Sequence, residues 1–158
     1  MSRRSKPKKR IIAPDPVYGD AEVAKFVRRV MRKGKQSTAE RIVYGAIDAL
    51  EKKGDAGDKG IDVFRKALNK SRPLVRVKAR RVGGSTYQVP VEVRDQEGIA
   101  IGSRWIIEHA RSRKGRTMDE KLAAELLDIY KGVGATLKKR EETHKMAEAN
   151  KAFAHYRF

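Results

Sequence analysis

Two runs of alternating residues meet at a Gly-Gly pair near the middle of the chain. The first run, over 75–80, places a cation at every second residue, at Arg76, Lys78 and Arg80, and the second, over 87–93, places a tyrosine and then valines at every second residue. Alternation with a period of two is typical of a β-strand, and Gly83-Gly84 supplies the positive φ angles that a tight hairpin turn needs. The pattern predicts a β-hairpin over 74–93, with cations along one face of its first strand.

Apolar residues spaced three and four apart predict three helices before the hairpin. The first follows Asp20, a candidate N-cap, and ends near Gly34. The second starts at 37–40, where Ser-Thr-Ala-Glu has the spacing of a capping box. The third starts at Ile61 and ends before Pro73.

Three more helices are predicted after the hairpin. Trp105 belongs to the apolar stripe of the fourth helix, which favours a place in the core. The fifth helix starts at a second capping box, 117–120, and ends near Gly132. The sixth, over about 135–150, is mostly polar. A helix without a clear apolar stripe is weakly held by its own domain, so we expect this helix and the tail after it to lean on a partner.

These elements define a mainly α fold class. We expect a single helical domain of about six helices over 13–150, with the two-stranded hairpin 74–93 protruding from it. A basic N-terminal arm, 1–12, precedes the domain, and a C-terminal tail, 151–158, follows it.

The net charge of the chain points to a polyanionic partner. The 158 residues carry a formal charge of +18. Such a charge repels itself, and nucleic acid is the commonest partner that neutralises it. No apolar run approaches the roughly 20 residues of a spanning helix, and no apolar segment follows the basic start as in a signal peptide. We therefore expect no membrane partner.

Residues that carry catalytic or metal chemistry do not converge in this sequence. There is no cysteine, and the three histidines lie on different predicted elements without ligand spacing. No serine or threonine has a recognisable base beside it, and Gly83-Gly84 lacks the frame of a phosphate loop. We expect no enzyme, no metal, no cofactor and no small-molecule substrate.

Cations recur in loops and at the ends of elements, where phosphate contacts are made easily. Aromatic residues are few, so structured RNA recognised through shape and phosphate fits better than base stacking along a single strand. The cations at these positions are Arg32, Lys33 and Lys35 between the first two helices, Arg111, Arg113, Lys114 and Arg116 after the fourth, and Lys138, Lys139 and Arg140 at the start of the last.

Two long segments resemble a known family. The segments 80–93 and 139–157 are similar to the hairpin and the C-terminal signature of the small-ribosomal-subunit protein seven family, bacterial type. Thr117-Met118 and the Gly34-Lys35 loop also match, and the resemblance covers nearly the whole chain, from Arg3 to Phe158.

The resemblance implies a structural protein of the small ribosomal subunit. Such a protein binds the 3′ major domain of 16S ribosomal RNA directly and nucleates assembly of the head. It lies near the exit site for transfer RNA and messenger RNA, close to small-subunit proteins nine and eleven. Some members of the family also repress translation of their own messenger RNA.

Site residues follow from the cation pattern together with the resemblance. The residues expected to contact ribosomal RNA are Arg3, Arg4, Lys6, Lys8, Lys9, Arg10, Arg32, Lys33, Lys35, Arg76, Lys78, Arg80, Arg94, Arg111, Arg113, Lys114 and Arg116. The residues expected near exit-site transfer and messenger RNA are Arg81, Val82, Gly83, Gly84, Ser85, Lys138, Lys139, Arg140 and Lys145. Arg80 and Arg81 fall in different groups because neighbouring strand residues point to opposite faces.

One segment departs from the family. After Arg94 the family usually continues with a proline and an arginine pair, whereas this chain has Asp95-Gln96-Glu97-Gly98. Carboxylates repel phosphate, so we expect no RNA contact at 95–98.

Two other functions compete with the ribosomal one. A DNA-bending architectural protein would use the basic hairpin in a minor groove, but such arms insert an apolar wedge and this tip is Gly83-Gly84. An RNA-modifying enzyme would need a catalytic constellation, which the sequence does not offer.

Deleting 2–10 is expected to weaken binding to a transcript of the 3′ major domain while the helices stay folded. The segment carries six cations, no acid and no residue that the core needs. Filter binding and circular dichroism of the truncated protein test this. An unchanged affinity, or a lost helical signal, would contradict it.

Overall fold

The computed structural model describes residues 12–53 and 59–156, and the basic arm cations Arg3 to Arg10 lie outside the described residues. Within those ranges the chain forms six α-helices, one 3₁₀ helix and one antiparallel pair of strands, which confirms the mainly α class with a hairpin. In chain order the elements are α1 (Ala21–Val30), α2 (Gln36–Lys53), α3 (Gly60–Ser71), β1 (Val75–Val82), β2 (Ser85–Glu92), α4 (Asp95–Ser112), α5 (Met118–Tyr130), α6 (Ala135–Ala149) and the 3₁₀ helix Lys151–Tyr156.

The core lies among α1 to α5. Helix α5 packs against α2, α3 and α4, and α1 closes the bundle against α2 and α4. Phe26 and Phe64 meet edge to face with ring centroids 5.2 Å apart, and both side chains are fully buried. These five helices contribute most of the apolar positions that the sequence predicted, because such stripes are buried against other helices.

The predicted helix starts are right at Asp20 and Thr117 but wrong at Ser37. Asp20 caps α1 through Oδ1, which accepts the Glu22 backbone N–H at 2.7 Å. Helix α2 begins at Gln36, one residue before the predicted cap, because the chain turns early through positive φ at Lys33 and Gly34. Thr117 occupies the cap position of α5 in an extended conformation without capping through its side chain. Its hydrogen bond to Asp119 instead lowers the pKa of that carboxyl.

The segment that departs from the family is the first turn of α4. Acids are favourable at a helix N-terminus because of the helix dipole, and Asp95 and Glu97 both lie there. Arg72 Nη1 lies 2.9 Å from Asp95 Oδ1, and Arg76 Nη2 lies 2.6 Å from Glu97 Oε1. Asp95 therefore joins α4 to the end of α3, and Glu97 joins α4 to the base of the hairpin.

The hairpin has the predicted two-residue turn, with φ of 57° at Gly83 and 87° at Gly84. The strand register does not give the hairpin a purely cationic face. Arg76 lies opposite Val91, and Arg80 lies opposite Tyr87, so the cations of β1 share a face with the apolar side chains of β2. Directly paired residues of antiparallel strands point to the same side. The predicted cationic face is thus mixed, and the chain itself covers part of it.

The C-terminal segment, which consists of α6 and the 3₁₀ helix, packs over that face of the hairpin. The ring of Tyr87 lies 5.3 Å from that of Phe153 and 5.1 Å from that of Tyr156, centroid to centroid. Helix α6 packs along β1 and against α4, and it buries Leu137 and Ala147. The partner that the polar helix α6 and the tail were expected to need is therefore the chain's own hairpin.

The position of Trp105 corrects another expectation. The buried face of α4 is formed by Ile106, Ile107 and Ala110, whereas Trp105 stays partly exposed and lies outside the core cluster. Apolar spacing alone does not show which residues lie at the edge of a helical stripe. The packing of neighbouring helices decides which of these edge residues are buried.

Replacing Gly102 with alanine is expected to destabilise the fold by about 2 kcal/mol through overpacking. A Cβ there would lie 2.5 Å from Ser71 Oγ and 2.9 Å from Ser71 O, so α3 and α4 would have to separate. The matched control is Gly45→Ala, whose Cβ would come no closer than 3.4 Å to Asp119, and which should gain up to about 1 kcal/mol of helix propensity. Urea unfolding of both variants measures the difference. Equal stability of the two variants would contradict the tight crossing.

A candidate nucleic-acid interface

Four arginines line one cavity of about 400 Å³ between α1 and α4. Arg29 comes from the last turn of α1 and Arg32 from the loop after it. Arg104 and Arg111 are seven residues apart, so two helical turns place them on the same side of α4. Ile107 and Glu108 complete the wall. We call this group the arginine cluster.

Hydrogen bonds hold two of these guanidinium groups against the scaffold. Arg29 Nη1 donates to Ser103 Oγ at 3.3 Å, and Arg111 Nη2 donates to Val30 O at 3.4 Å. Ser103 is fully buried, so the Arg29 side chain reaches into the contact between the two helices. The positive charges are therefore fixed near one another by packing.

The arginine cluster combines four positive charges with a single carboxylate among the described residues of its wall, that of Glu108. Burial lowers the pKa of Arg29, and the nearby charge of Arg104 lowers it further. Burial likewise lowers the pKa of Arg111, with a second contribution from Arg32. Arginine stays protonated in proteins, so the repulsion remains. Among residues 12–53 and 59–156, no carboxylate forms an ion pair with any of the four. A bound anion would relieve this repulsion.

Two neighbouring cavities extend the arginine cluster into a longer surface. One of about 330 Å³ shares Arg32 and Arg111, adds Lys35, and has an apolar floor that includes Met118. The other, of about 350 Å³, shares Arg104 and Glu108 with the cluster and reaches the base of the hairpin at Arg76. Because they share wall residues, the three cavities are neighbours, and we call them together the basic groove.

The basic groove brings together four of the residues predicted to contact ribosomal RNA. These are Arg32, Lys35, Arg76 and Arg111. Other predicted contacts, Lys33, Lys78, Arg94, Lys114 and Arg116, are exposed but do not line it. For all of these residues RNA contact stays a prediction.

Arg113 has a different set of neighbours from the rest of the predicted cluster at the end of α4. Its Nε lies 2.6 Å from Glu125 Oε2, and its Nη2 contacts Asp128. Burial by itself would lower the pKa of Arg113, but the hydrogen bonds to the two carboxylates outweigh it, so the pKa is raised. Glu125 is 1% exposed and also accepts the Thr136 hydroxyl at 2.6 Å. Arg113 therefore joins the end of α4 to α5 and to the start of α6.

Contacts within the chain also engage part of the hairpin. Arg76 pairs with Glu97, and Arg80 Nη1 donates to the Tyr156 carbonyl at 2.6 Å. Arg81, the two turn glycines and Ser85 are exposed, and Val82 is partly exposed. Arg80 and Arg81 thus differ in their surroundings, as strand alternation predicted, although Arg80 faces the C-terminal segment.

The cations of α6 are exposed except for Arg140, whose Nη1 donates to the Lys70 carbonyl. Lys139 and Arg140 make long ion pairs, of 3.9 Å to Glu142 and 3.8 Å to Glu141, and exposed pairs of this kind contribute little. Lys138 and Lys145 are exposed beside them.

Arg29 and Arg104 were missed by sequence reasoning. The spacing of Arg104 and Arg111 was a usable signal, since two turns separate them. Arg28 and Arg29 are adjacent at the end of the first helix. Their sequence neighbourhoods do not indicate which of the two lines the groove and which faces solvent. Only the packing of α1 on α4 selects Arg29.

Across the described ranges, no three histidine, aspartate or glutamate side chains come close enough together to hold a metal ion. None of the described helices combines the length and apolar character required to cross a membrane.

A helical body with a basic groove and an exposed arm is the architecture of a protein that binds a phosphate backbone. The family described as Ribosomal protein S7p/S5e matches residues 2–151. Small ribosomal subunit protein uS7 of Francisella tularensis subsp. holarctica (strain OSU18) is 58% identical over 158 residues, all of both chains. The protein of that name from subsp. novicida (strain U112) is 57% identical over the same length.

The chain therefore belongs to the Ribosomal protein S7p/S5e family. It is a ribosomal protein of the small subunit, a structural component and not an enzyme, and its place is in the ribosome of the bacterial cytoplasm. This membership confirms the resemblance carried by the hairpin and the C-terminal segment.

Replacing Arg113 with alanine is expected to destabilise the fold by about 3 kcal/mol, because Glu125 would be left buried without its cation. The adjacent exposed Lys114→Ala should change stability by less than about 0.5 kcal/mol. Thermal and urea unfolding without RNA measure both. If Arg113→Ala unfolds like the wild type, the ion pair is dispensable.

Proposed function

We propose that this chain binds the 3′ major domain of 16S ribosomal RNA directly through its basic groove and thereby nucleates assembly of the subunit head. The observation that carries the proposal is the arginine cluster. Its four guanidinium groups lie in one cavity with no carboxylate partner among the described residues. Phosphate is the anion that nucleic acid would bring to it.

The chemistry of arginine supports a phosphate backbone as the ligand. A guanidinium group presents a rigid fork of N–H donors that matches phosphate oxygens and stays charged at any physiological pH. Phosphate contacts set the register of a protein on nucleic acid without reading its bases. A groove on rigid helices suits a folded RNA, which is recognised chiefly through its shape and backbone.

The core supports an early role in assembly. Helices α1 to α5 bury a continuous apolar cluster that contains Phe26, Phe64, Leu122 and Leu126. A body with such a core is expected to fold before it meets RNA, so the groove would be formed in advance. A preorganised surface loses less conformational entropy on binding.

The exit-site role rests on the hairpin tip and α6. Arg81, the glycine turn and Ser85 are exposed at the far end of the arm, and Lys138, Lys139 and Lys145 are exposed on α6. Cations at these places would contact transfer or messenger RNA that passes nearby. Proximity to small-subunit proteins nine and eleven, and repression of the protein's own messenger RNA, belong to the proposal through the family resemblance alone.

Arg29→Gln and Arg111→Gln are expected to weaken binding to a transcript of the 3′ major domain by about 1.5 to 3 kcal/mol each, the range for a hydrogen bond to a charged group. Each should also reduce the slope of log K against log salt by about 0.7 to 0.9, between about 50 and 200 mM. Filter binding over that salt range gives both quantities.

The matched control is Arg65→Gln, which removes the same charge outside the groove. The Arg65 guanidinium already contacts Asp20 at 2.8 Å and Asp62 at 3.4 Å. The Arg65→Gln substitution should therefore leave the salt slope of RNA binding unchanged. Equal effects of all three substitutions would show that only net charge matters, and the groove would lose its role.

A further inference from the structure

We propose that Trp105 stacks on one unpaired base of the RNA strand that follows the basic groove. This inference rests on the proposed function, since it needs RNA in the groove. It adds a base-binding site to a surface otherwise described through phosphate contacts.

Trp105 is placed for a ligand and not for the core. It is the single tryptophan of the chain and is partly exposed outside the core cluster. It lines the cavity of about 350 Å³ at the base of the hairpin, where Pro73 and Ile101 supply buried apolar walls. Indole is the largest aromatic surface available in a protein, and leaving it beside an open cavity forgoes the stabilisation that burial would give.

The side chains that line this cavity are suited to bind a nucleobase. Its polar lining consists of Arg76, Arg104, Glu108 and Thr143. The Thr143 hydroxyl donates to Lys139 O at 2.8 Å, which leaves its oxygen able to accept. A carboxylate can accept an N–H from a base edge. The indole lines this cavity and not the arginine cluster, so a base suits this end of the groove and the backbone suits the end with four arginines.

The neighbouring arginine cluster decides the kind of ligand. Arg104 and Glu108 line both cavities, so an occupant of one lies next to the other. A strand whose phosphates meet Arg29, Arg32 and Arg111 can turn an adjacent base toward Trp105. The base must be unpaired, because bases within a helix offer only their edges to a protein. A bulged or loop nucleotide meets that condition.

The single tryptophan makes the test direct. The intact wild-type protein is titrated with the 3′ major domain transcript and, in parallel, with heparin, a polyanion without bases. Stacking is expected to quench the Trp105 emission strongly with RNA, whereas heparin should leave it nearly unchanged. Equal emission changes with the two polyanions would overturn the stacking contact.

Variants give a second, independent readout. Trp105→Leu is expected to weaken RNA binding about tenfold, the size of one base–aromatic stack, without changing the salt slope. Trp105→Phe keeps an aromatic face and should lie within about threefold of the wild type. Thermal unfolding checks that both variants fold. A Trp105→Leu protein that folds and binds like the wild type would overturn the proposal.

The two proposals fail in different ways. If salt-dependent RNA binding persists while Trp105 is not quenched, the stacking contact is wrong and the groove still binds backbone. If neither Arg29→Gln nor Arg111→Gln changes the affinity, the groove does not bind RNA and the stacking contact falls with it.

Discussion

The close crossing of α4 over the end of α3 is the constraint on which the rest of the structure depends. Gly98 and Gly102 are four residues apart on α4, and a Cβ on either would lie less than 2.7 Å from Arg72 or Ser71. This contact fixes how deep α4 sits. Helix α4 then supplies Arg104 and Arg111 to the arginine cluster, Trp105 to the adjacent cavity, and Glu97 to the base of the hairpin. A helix displaced outward would loosen all of these together.

The structure divides its cations into two groups with different roles. Arg72, Arg76 and Arg113 have carboxylate partners and fasten elements to one another. The arginine cluster forms no ion pair among the described residues, and this is the charge that we propose is neutralised by RNA. Removing a partner from a buried ion pair is strongly destabilising, whereas removing a repelled cation is not. Substitutions in the first group should therefore lower the stability of the fold, and substitutions in the second should lower RNA affinity.

The acids at 95–98 show why local charge is a poor guide to an interface. From the sequence, we predicted no RNA contact there because carboxylates repel phosphate. The structure gives them a positive role, since Asp95 and Glu97 start α4 and hold Arg72 and Arg76. Arg76 thus lines the groove while its charge is partly compensated. The hairpin is a positioned arm whose base is tied to the body.

The helices, the hairpin and its turn were predictable from the sequence alone, because periodicity and turn chemistry act over a few residues. The expectation of a polyanionic partner also came from the sequence, since net charge does not depend on the fold. Tertiary structure alone decided that Arg29 belongs to the groove, that Arg113 pairs with Glu125, and that Trp105 lies outside the core. It also brought the C-terminal segment over the hairpin at Tyr87. Each of these depends on contacts between residues far apart in the chain, and a local pattern carries no information about which distant side chain will lie opposite.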